Sequence, residues 1–581
     1  MKNIISKALP ALLPLLMMAC SPNSLFDKNP YNKISDDKTW ETPMLLDEYV
    51  NTWYRNMNSG FKTYVPSTAL FKSISRYYLP WFTDQLSNGK SDWYNAGYGD
   101  ILKNNEESIT QWARNTWTSC YTQIQYINSF LENKDKVPDA AQRRRVEGEA
   151  HFFRAYYYYM LWRRFGGVLI IDHTYNPLKK AEKFPRASYG QMVSFIVAEA
   201  GKADSLLAVT NGASDVGRVT RGAAIMLKAK TYLWASSPVF QNKSKSYLGF
   251  TDDQSQTMLQ KARAAYDQLF ALNRYQLVPV TATTQDGIRD EYRKIFTTKN
   301  TSESILEVQH SDDGDYANKF GHTLDRDAAA PSFTGTTAAY TPTQNHVAEY
   351  GMRGGAVYDP QHPYDNRDYR FYANVLYNGC EYRGHMMDMA TTDGRAGADI
   401  TPYGSSTTAA VSRTGYYLGK FVDASQSIDD NNTYASKQDY IIWRLAEAYL
   451  DYAEVCYRLG DNAAALDMVN RIRTRVHMDA LPALTWDDIV HERRVEMAFE
   501  ETIYWDQMRW GTAEQTFSGA TNPLKGITIT VHAGHTTYRT VNINRFPARV
   551  RKFETREYYF PIPWAEVRYQ GIDQNPGWNE V

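Results

Sequence analysis

Apolar residues recur every three or four positions through long parts of this chain, the spacing of one buried helix face. The densest such stretch runs from Tyr440 to Gly511. Its first part sets Ile441, Leu445, Ala448, Tyr449, Tyr452, Ala453, Cys456 and Leu459 on one face and predicts a helix. Gly460 stops it, because glycine takes the left-handed conformation that a helix C-terminus needs. Asp461 is placed to cap the next helix, whose buried face is Ala465, Leu466, Val469, Ile472 and Val476. Two helices joined this tightly form a hairpin, the unit of tetratricopeptide-type arrays. Thr485 and Asp488 then predict a capping box for a third, long helix carrying Glu492, Arg493, Glu496, Trp505, Asp506 and Arg509.

The same period predicts helices over residues 42–57, 108–133, 139–165, 188–207 and 258–272, with another introduced by Gly217-Arg218-Val219-Thr220. Gly166-Gly167 ends the third of these. The period is missing from two places. Residues 58–100 hold turn signals such as Asn88-Gly89 and many aromatics, RYYLPWFTDQLSNGKSDWYNAGYGD, and predict an exposed loop with large rings on it. From 273 to 437, short segments such as SILEVQH alternate with loops rich in Gly, Asp, Ser and Thr. The expected fold is mainly α: tetratricopeptide-like helical hairpins forming a scaffold, with a loop-rich mixed insertion. The helical parts are 41–272 and 438–581, and the insertion is 273–437.

Composition changes this picture in one respect. A formal charge of −1 gives no general attraction for nucleic acid or acidic lipid. The 43 tyrosines and 14 tryptophans are more notable. A helical core absorbs most of them; the others suit stacking platforms for a polar, flat-faced ligand such as a sugar, because these side chains join an apolar face to a polar tip. Catalytic motifs are missing. His491-Glu492 begins like a zinc-protease helix, but Val495 stands where the second histidine belongs. There is no Gly-rich phosphate loop and no G-x-S-x-G elbow. The runs Ser311-Asp312-Asp313-Gly314-Asp315 and Asp429-Asp430-Asn431-Asn432 offer oxygen ligands for calcium without the spacing of a calcium loop, and solvated turns explain them more simply. No cofactor is expected.

The N-terminus reads as a targeting segment. Lys2 and Lys7 precede an apolar stretch, Ala8 to Met18, that is too short to span a bilayer. Met17-Met18-Ala19-Cys20 resembles a lipobox, so residues 1–19 are expected to be a signal peptide, Cys20 the acylated residue and 20–40 a lipidated tether. Three cysteines then remain, Cys120, Cys380 and Cys456, an odd number that allows no full disulfide framework.

Several runs together resemble one family. HERRVEMAFEETIYWDQMRWG is similar to a C-terminal signature of the SusD/RagB lipoproteins of Bacteroidetes: Glu492, Arg493, Glu496, Met497, Asp506, Met508, Arg509 and Trp510 fit, and Ile503 replaces a frequent Arg. GEAHFFRAYYYYMLWRRFGGVLIID, GRVTRGAAIMLKAKTYLWASSP, DNRDYRFYANVLYNG and the tail YYFPIPWAEVRYQGIDQNPGW resemble further elements of the same family, so the resemblance spans essentially the whole mature chain. It implies an outer-membrane, cell-surface lipoprotein that captures oligosaccharide and sits on a SusC-like TonB-dependent transporter. Sugar-binding members carry their ligand residues in the aromatic loop and the insertion. Residue type and region select Arg76, Trp81, Asp84, Trp93, Tyr94 and Asn95 in the loop, and Tyr316, Phe333 and Tyr340 in the insertion. The competing classes are a peptide-binding uptake lipoprotein and a glycan-degrading enzyme.

Overall fold

The computed structural model describes residues 36–57, 59–61, 78–88, 106–175, 182–311, 320–333, 338–400, 411–428, 435–543 and 551–579. The signal segment, Cys20 and most of the tether lie outside them.

Helix α1 (Pro43–Arg55) starts on a proline in its first turn and buries Leu46, Tyr49, Val50 and Trp53. Five further helices follow before the insertion: α2 (Glu106–Asn133), α3 (Ala140–Phe165), α4 (Tyr189–Leu206), α5 (Arg221–Ala235) and α6 (Ser255–Ala271). Each packs on the next from α2 to α6. Their starts are written locally. The Asp139 side chain accepts from the Gln142 amide, and Ser188 and Gln191 form a capping box. The end of α3 needs glycine: Gly166 has φ +71°, and a Cβ there would stand 2.4 Å from the Tyr247 carbonyl oxygen.

The insertion begins with helix α7 (Gln285–Thr297) and strand β1 (Ser304–Val308). Further on come the short strands β2 (Ala390–Thr392) and β3 (Arg395–Ala396). The return to the helical block differs from the expectation. Residues Tyr440–Arg444 do not open the helix; they form strand β4, antiparallel to β1, with Tyr440 opposite Val308 and Arg444 opposite Ser304. The aromatic and β-branched run YIIW fits a pleated surface better than a helix, and β1 supplies the partner. Helix α8 (Leu445–Arg458) starts only there and packs on both α6 and α9 (Asn462–Arg475). Gly460 has φ +85°, and the Asp461 side chain caps α9 as expected.

The third helix of this stretch is two helices, α10 (Trp486–Glu496) and α11 (Thr502–Trp510). The Thr485–Asp488 capping box opens α10. Between the two, Phe499 and Glu501 take positive φ. The break persists because distant donors take its carbonyls: Lys420 Nζ and Arg444 Nη2 both donate to Glu496 O, and Tyr78 Oη donates to Phe499 O. A second departure follows in the C-terminal part. Strands β5 (Lys525–His532) and β6 (His535–Asn542) form a hairpin, and β5 also pairs in parallel with β2. Ala533 and Gly534 make its tight turn, both with positive φ.

Three apolar clusters result. The largest fills the helical block around Trp53, Phe153, Leu227 and Leu450. A second joins Tyr78 and Phe421 to α7 and β4, and a third sets Tyr350 and Phe371 against Ile527 and Ile529 of β5. A buried charge network ties the block to the insertion. Arg444 reaches Glu303 (2.6 Å), Glu496 (2.8 Å) and Glu500 (2.7 Å), Arg475 reaches Glu303 (2.8 Å) and Glu496, and Arg370 reaches Asp368 (2.7 Å), Glu492 and Glu496 (3.0 Å). The conspicuous acids and arginines of the ERRVEMAFEE run are therefore scaffold. Arg444, Arg475 and Arg370 each have opposite charges with hydrogen-bonding geometry, without which their desolvation would be prohibitive.

Candidate functional site

The described part of the aromatic loop, 78–88, is stitched down at both ends. Pro80 favours a tight 3-10 turn over Leu79–Phe82. Leu79 N donates to Glu501 Oε1 (3.2 Å), so the break between α10 and α11 receives this turn. Beyond it, Leu86–Ser87 pairs with Thr341–Pro342, and Thr343 N donates to Gln85 O (3.0 Å).

Tyr78 and Trp81 are three residues apart in that turn and so fall on the same side. Trp81 is half-buried, and its Nε1 donates to Ala339 O (2.9 Å). Its ring centroid lies 5.3 Å from that of Tyr340, tilted by 34°, and 5.6 Å from Tyr78, edge on. Tyr78 and Tyr340 are each only 2 % exposed and meet edge to face at 5.3 Å. Burial pushes the Tyr78 hydroxyl well above its ordinary pKa, so it stays a neutral donor. The result is one indole held in position by a backbone hydrogen bond and backed by two buried phenols. Phe333, also half-buried, packs edge on against Tyr382 (5.7 Å) and His385 (5.4 Å). Trp81 and Phe333 both pack on the second apolar cluster.

Two sequence-selected residues are corrected. Tyr340 is buried and serves as backing for Trp81, so it offers no open face. Asp84 is 8 % exposed and turns toward the helical block: Arg494 Nη2 donates to both its oxygens (3.0 Å each) and Asn522 Nδ2 to one (3.0 Å). Burial alone would raise its pKa, but Arg494 and Asn522 outweigh burial and hold the carboxyl below the usual carboxylate value. A carboxylate so occupied does not reach for sugar hydroxyls beside Trp81. Arg76, Trp93, Tyr94, Asn95 and Tyr316 lie outside the described residues. Tyr78, Tyr382 and His385 were not selected from the sequence; the three-residue spacing of Tyr78 and Trp81 across a proline was the one local signal for the first of them.

Beside Phe333 lies a serine–aspartate–histidine group. Asp399, fully buried, accepts from Ser332 Oγ on one oxygen and pairs with His385 Nε2 (2.9 Å) on the other. The acid stands between hydroxyl and imidazole, so the histidine is not positioned to take the serine proton, as a nucleophile–base pair requires. His491, from the zinc-protease-like start, bonds the Glu349 carbonyl (2.6 Å). Among the described residues no group of three or more His, Cys, Asp or Glu is placed to hold a metal ion, and no helix is long and apolar enough to cross a membrane. Both aspartate-rich runs fall mainly outside the described residues.

Comparison with known proteins places this arrangement in a family. A family model described as "SusD family" matches residues 302–578, and one described as "Starch-binding associating with outer membrane" matches residues 26–233. A SusD-like protein of Bacteroides ovatus is 23 % identical over 527 residues, which is 86 % of this chain and 81 % of that one. A SusD-like protein of Bacteroides fragilis superposes with a TM-score of 0.73 at 23 % identity, covering 95 % of this chain and 100 % of the other. A SusD-like carbohydrate-binding protein of the same species gives 0.68 at 19 % identity, over 92 % and 99 %. The chain belongs to the SusD/RagB family and has its mainly helical fold.

Proposed function

We propose that this protein is a non-catalytic glycan-binding lipoprotein of the outer membrane, which captures oligosaccharide at the cell surface and passes it to a SusC-like TonB-dependent transporter. The observation that carries the reading is the Trp81 indole, half-buried and fixed against Tyr78 and Tyr340 at the start of the aromatic loop. An indole already ordered loses little entropy when a sugar stacks on it. Trp81 and Phe333 are the described members of the site; Arg76, Trp93, Tyr94, Asn95 and Tyr316 are proposed as the others. The family description and the carbohydrate-binding structural neighbour support the ligand class.

The test is a calorimetric screen of purified plant, fungal and host glycans, with each mixture assayed for new reducing ends. Binding with no new reducing ends is expected. New ends would make the protein an enzyme, and heat only with peptides would move it to the peptide class. Anchoring is tested separately: cells labelled with a fatty-acid probe should mark the wild type, and a Cys20→Ala protein that keeps its label would refute acylation there. The transporter is expected to co-purify from detergent-solubilised outer membrane.

A further inference from the structure

Tryptophan burial singles out a second place. Thirteen tryptophans are described, and eight of them are buried. Of the five half-buried ones, Trp505 is covered by Arg163 and Arg164, whose guanidinium groups lie 4.2 and 4.6 Å from its ring. Trp81 belongs to the site above, and Trp564 ties its Nε1 to Asn579 O (2.9 Å). The remaining two, Trp486 and Trp510, meet edge to face at 5.7 Å, and half-buried Tyr457 lies 6.2 Å from Trp486. All three line a cleft of about 750 Å³ between the C-terminal ends of α8 and α11, α10, and the segment 512–522 with its short helix Ala513–Thr516. That volume is in the range of small-molecule sites, roughly 300–1,000 Å³.

The charges of the cleft are largely balanced from within. Asp84 is held by Arg494, and Glu349 stands 3.2 Å from the same guanidinium. Glu454 accepts from Arg509 (2.6 Å) and from Trp510 Nε1 (3.2 Å). Arg458 donates to Ser236 O (2.7 Å). At the rim, Asp487, Gln515 and Thr521 are exposed and point to hydrogen bonding with water or ligand. An aromatic wall faced by hydrogen-bonding groups, with no surplus of positive charge, matches the two faces of a pyranose: C–H groups on the rings, hydroxyls on carboxylate, amide and hydroxyl. It has no cation left over for a uronate or sulfate.

We propose that this cleft is a second saccharide site, separate from Trp81, which takes an uncharged oligosaccharide through Trp486 and Trp510. It does not depend on the first site: Trp81 is not among the lining residues.

The test uses the mature chain labelled with 5-fluorotryptophan, the Trp486 and Trp510 resonances being assigned with Trp486→Phe and Trp510→Phe. The neutral probes are maltoheptaose, laminariheptaose and cellohexaose; the charged ones are an oligogalacturonate and a lysine-rich peptide. At least one neutral probe should shift both resonances. Trp486→Ala should weaken that event about tenfold or more with an unchanged melting temperature, whereas Trp81→Ala should leave it intact. If Trp486→Ala alters folding, Gln515→Ala at the exposed rim serves in its place, with a smaller loss expected. The proposal is overturned if no neutral probe moves the two resonances, or if only the oligogalacturonate or the peptide does. Loss of both resonance shifts in Trp81→Ala would mean one site and not two.

Discussion

The helical block and the loop-rich stretch differ in what several of their buried arginines are asked to do. In the block, arginines face carboxylates: Arg493 bonds Asp451 (2.6 Å) and Asp506 (2.5 Å), and Arg154 bonds Glu199 (2.7 Å). In the insertion, beside Arg370 of the charge network, two arginines face the main chain instead. Arg367 donates to the carbonyls of Tyr350, Pro363 and Val347, and Arg383 to those of Ala424, Gln426 and Asp423. The reason is backbone accounting. A helix satisfies its own N–H and C=O groups, so its side chains are free to pair with one another. An irregular chain leaves carbonyls open, and buried ones must be met by side-chain donors. The block is thus a charge-locked scaffold, and the insertion a side-chain-stapled surface on which rings such as Phe333 remain half-exposed.

The most damaging change should be one that strands charges where the two regions join. Glu496→Ala removes a common partner of Arg444, Arg475 and Arg370 and should destabilise by roughly 3–5 kcal/mol in denaturant unfolding. A loss no larger than that of a surface substitution would contradict the lock. Leu445→Ala, at the buried start of α8, should cost about 2–5 kcal/mol through lost burial and a cavity. A thermal midpoint that stays put would remove Leu445 from the core.

Acid should separate the regions more gently. The insertion buries three histidines: burial pushes His310 down to about 4, His346 down to about 3, and His322 well below its ordinary value. An unfolded histidine protonates near pH 6.5, so the stability these groups confer is complete above that value and is lost as pH falls toward the folded values. At pH 5 the loss is on the order of 2 kcal/mol for His310 and for His346. In the block, opposite charges outweigh burial and hold Glu496 and Glu199 below the usual carboxylate range; their contribution persists above about pH 4.5 and is lost only below it. Hydrogen exchange at pH 5 against pH 7 should show protection falling first around residues 340–350 while α3 and α4 hold. Uniform loss would erase the distinction.

Legibility in the sequence followed the range of the interactions. The caps at Asp139, Ser188, Asp461 and Thr485 were readable because cap and amide lie within three residues. The hairpin β5–β6 also carries a local signal: Ile527, Ile529 and Val531 alternate up to the Ala533-Gly534 turn. Strand β4 and the break at Phe499–Glu501 were not readable, because β1, Lys420, Arg444 and Tyr78 impose them from far away in sequence. At the site, residue type pointed to rings and acids, but which way each faces is a tertiary property. Asp84 and Tyr340 turned inward for partners that no local pattern announces.

The central claim is that the aromatic loop binds glycan and does not merely fill a core. The most direct measurement is calorimetry of Trp93→Ala with an oligosaccharide found in the screen, paired with its melting temperature. Losing one stacked ring should remove on the order of 1–3 kcal/mol of binding, roughly ten- to a hundredfold in affinity, with stability retained. A melting temperature that drops sharply while affinity stays intact would contradict the account.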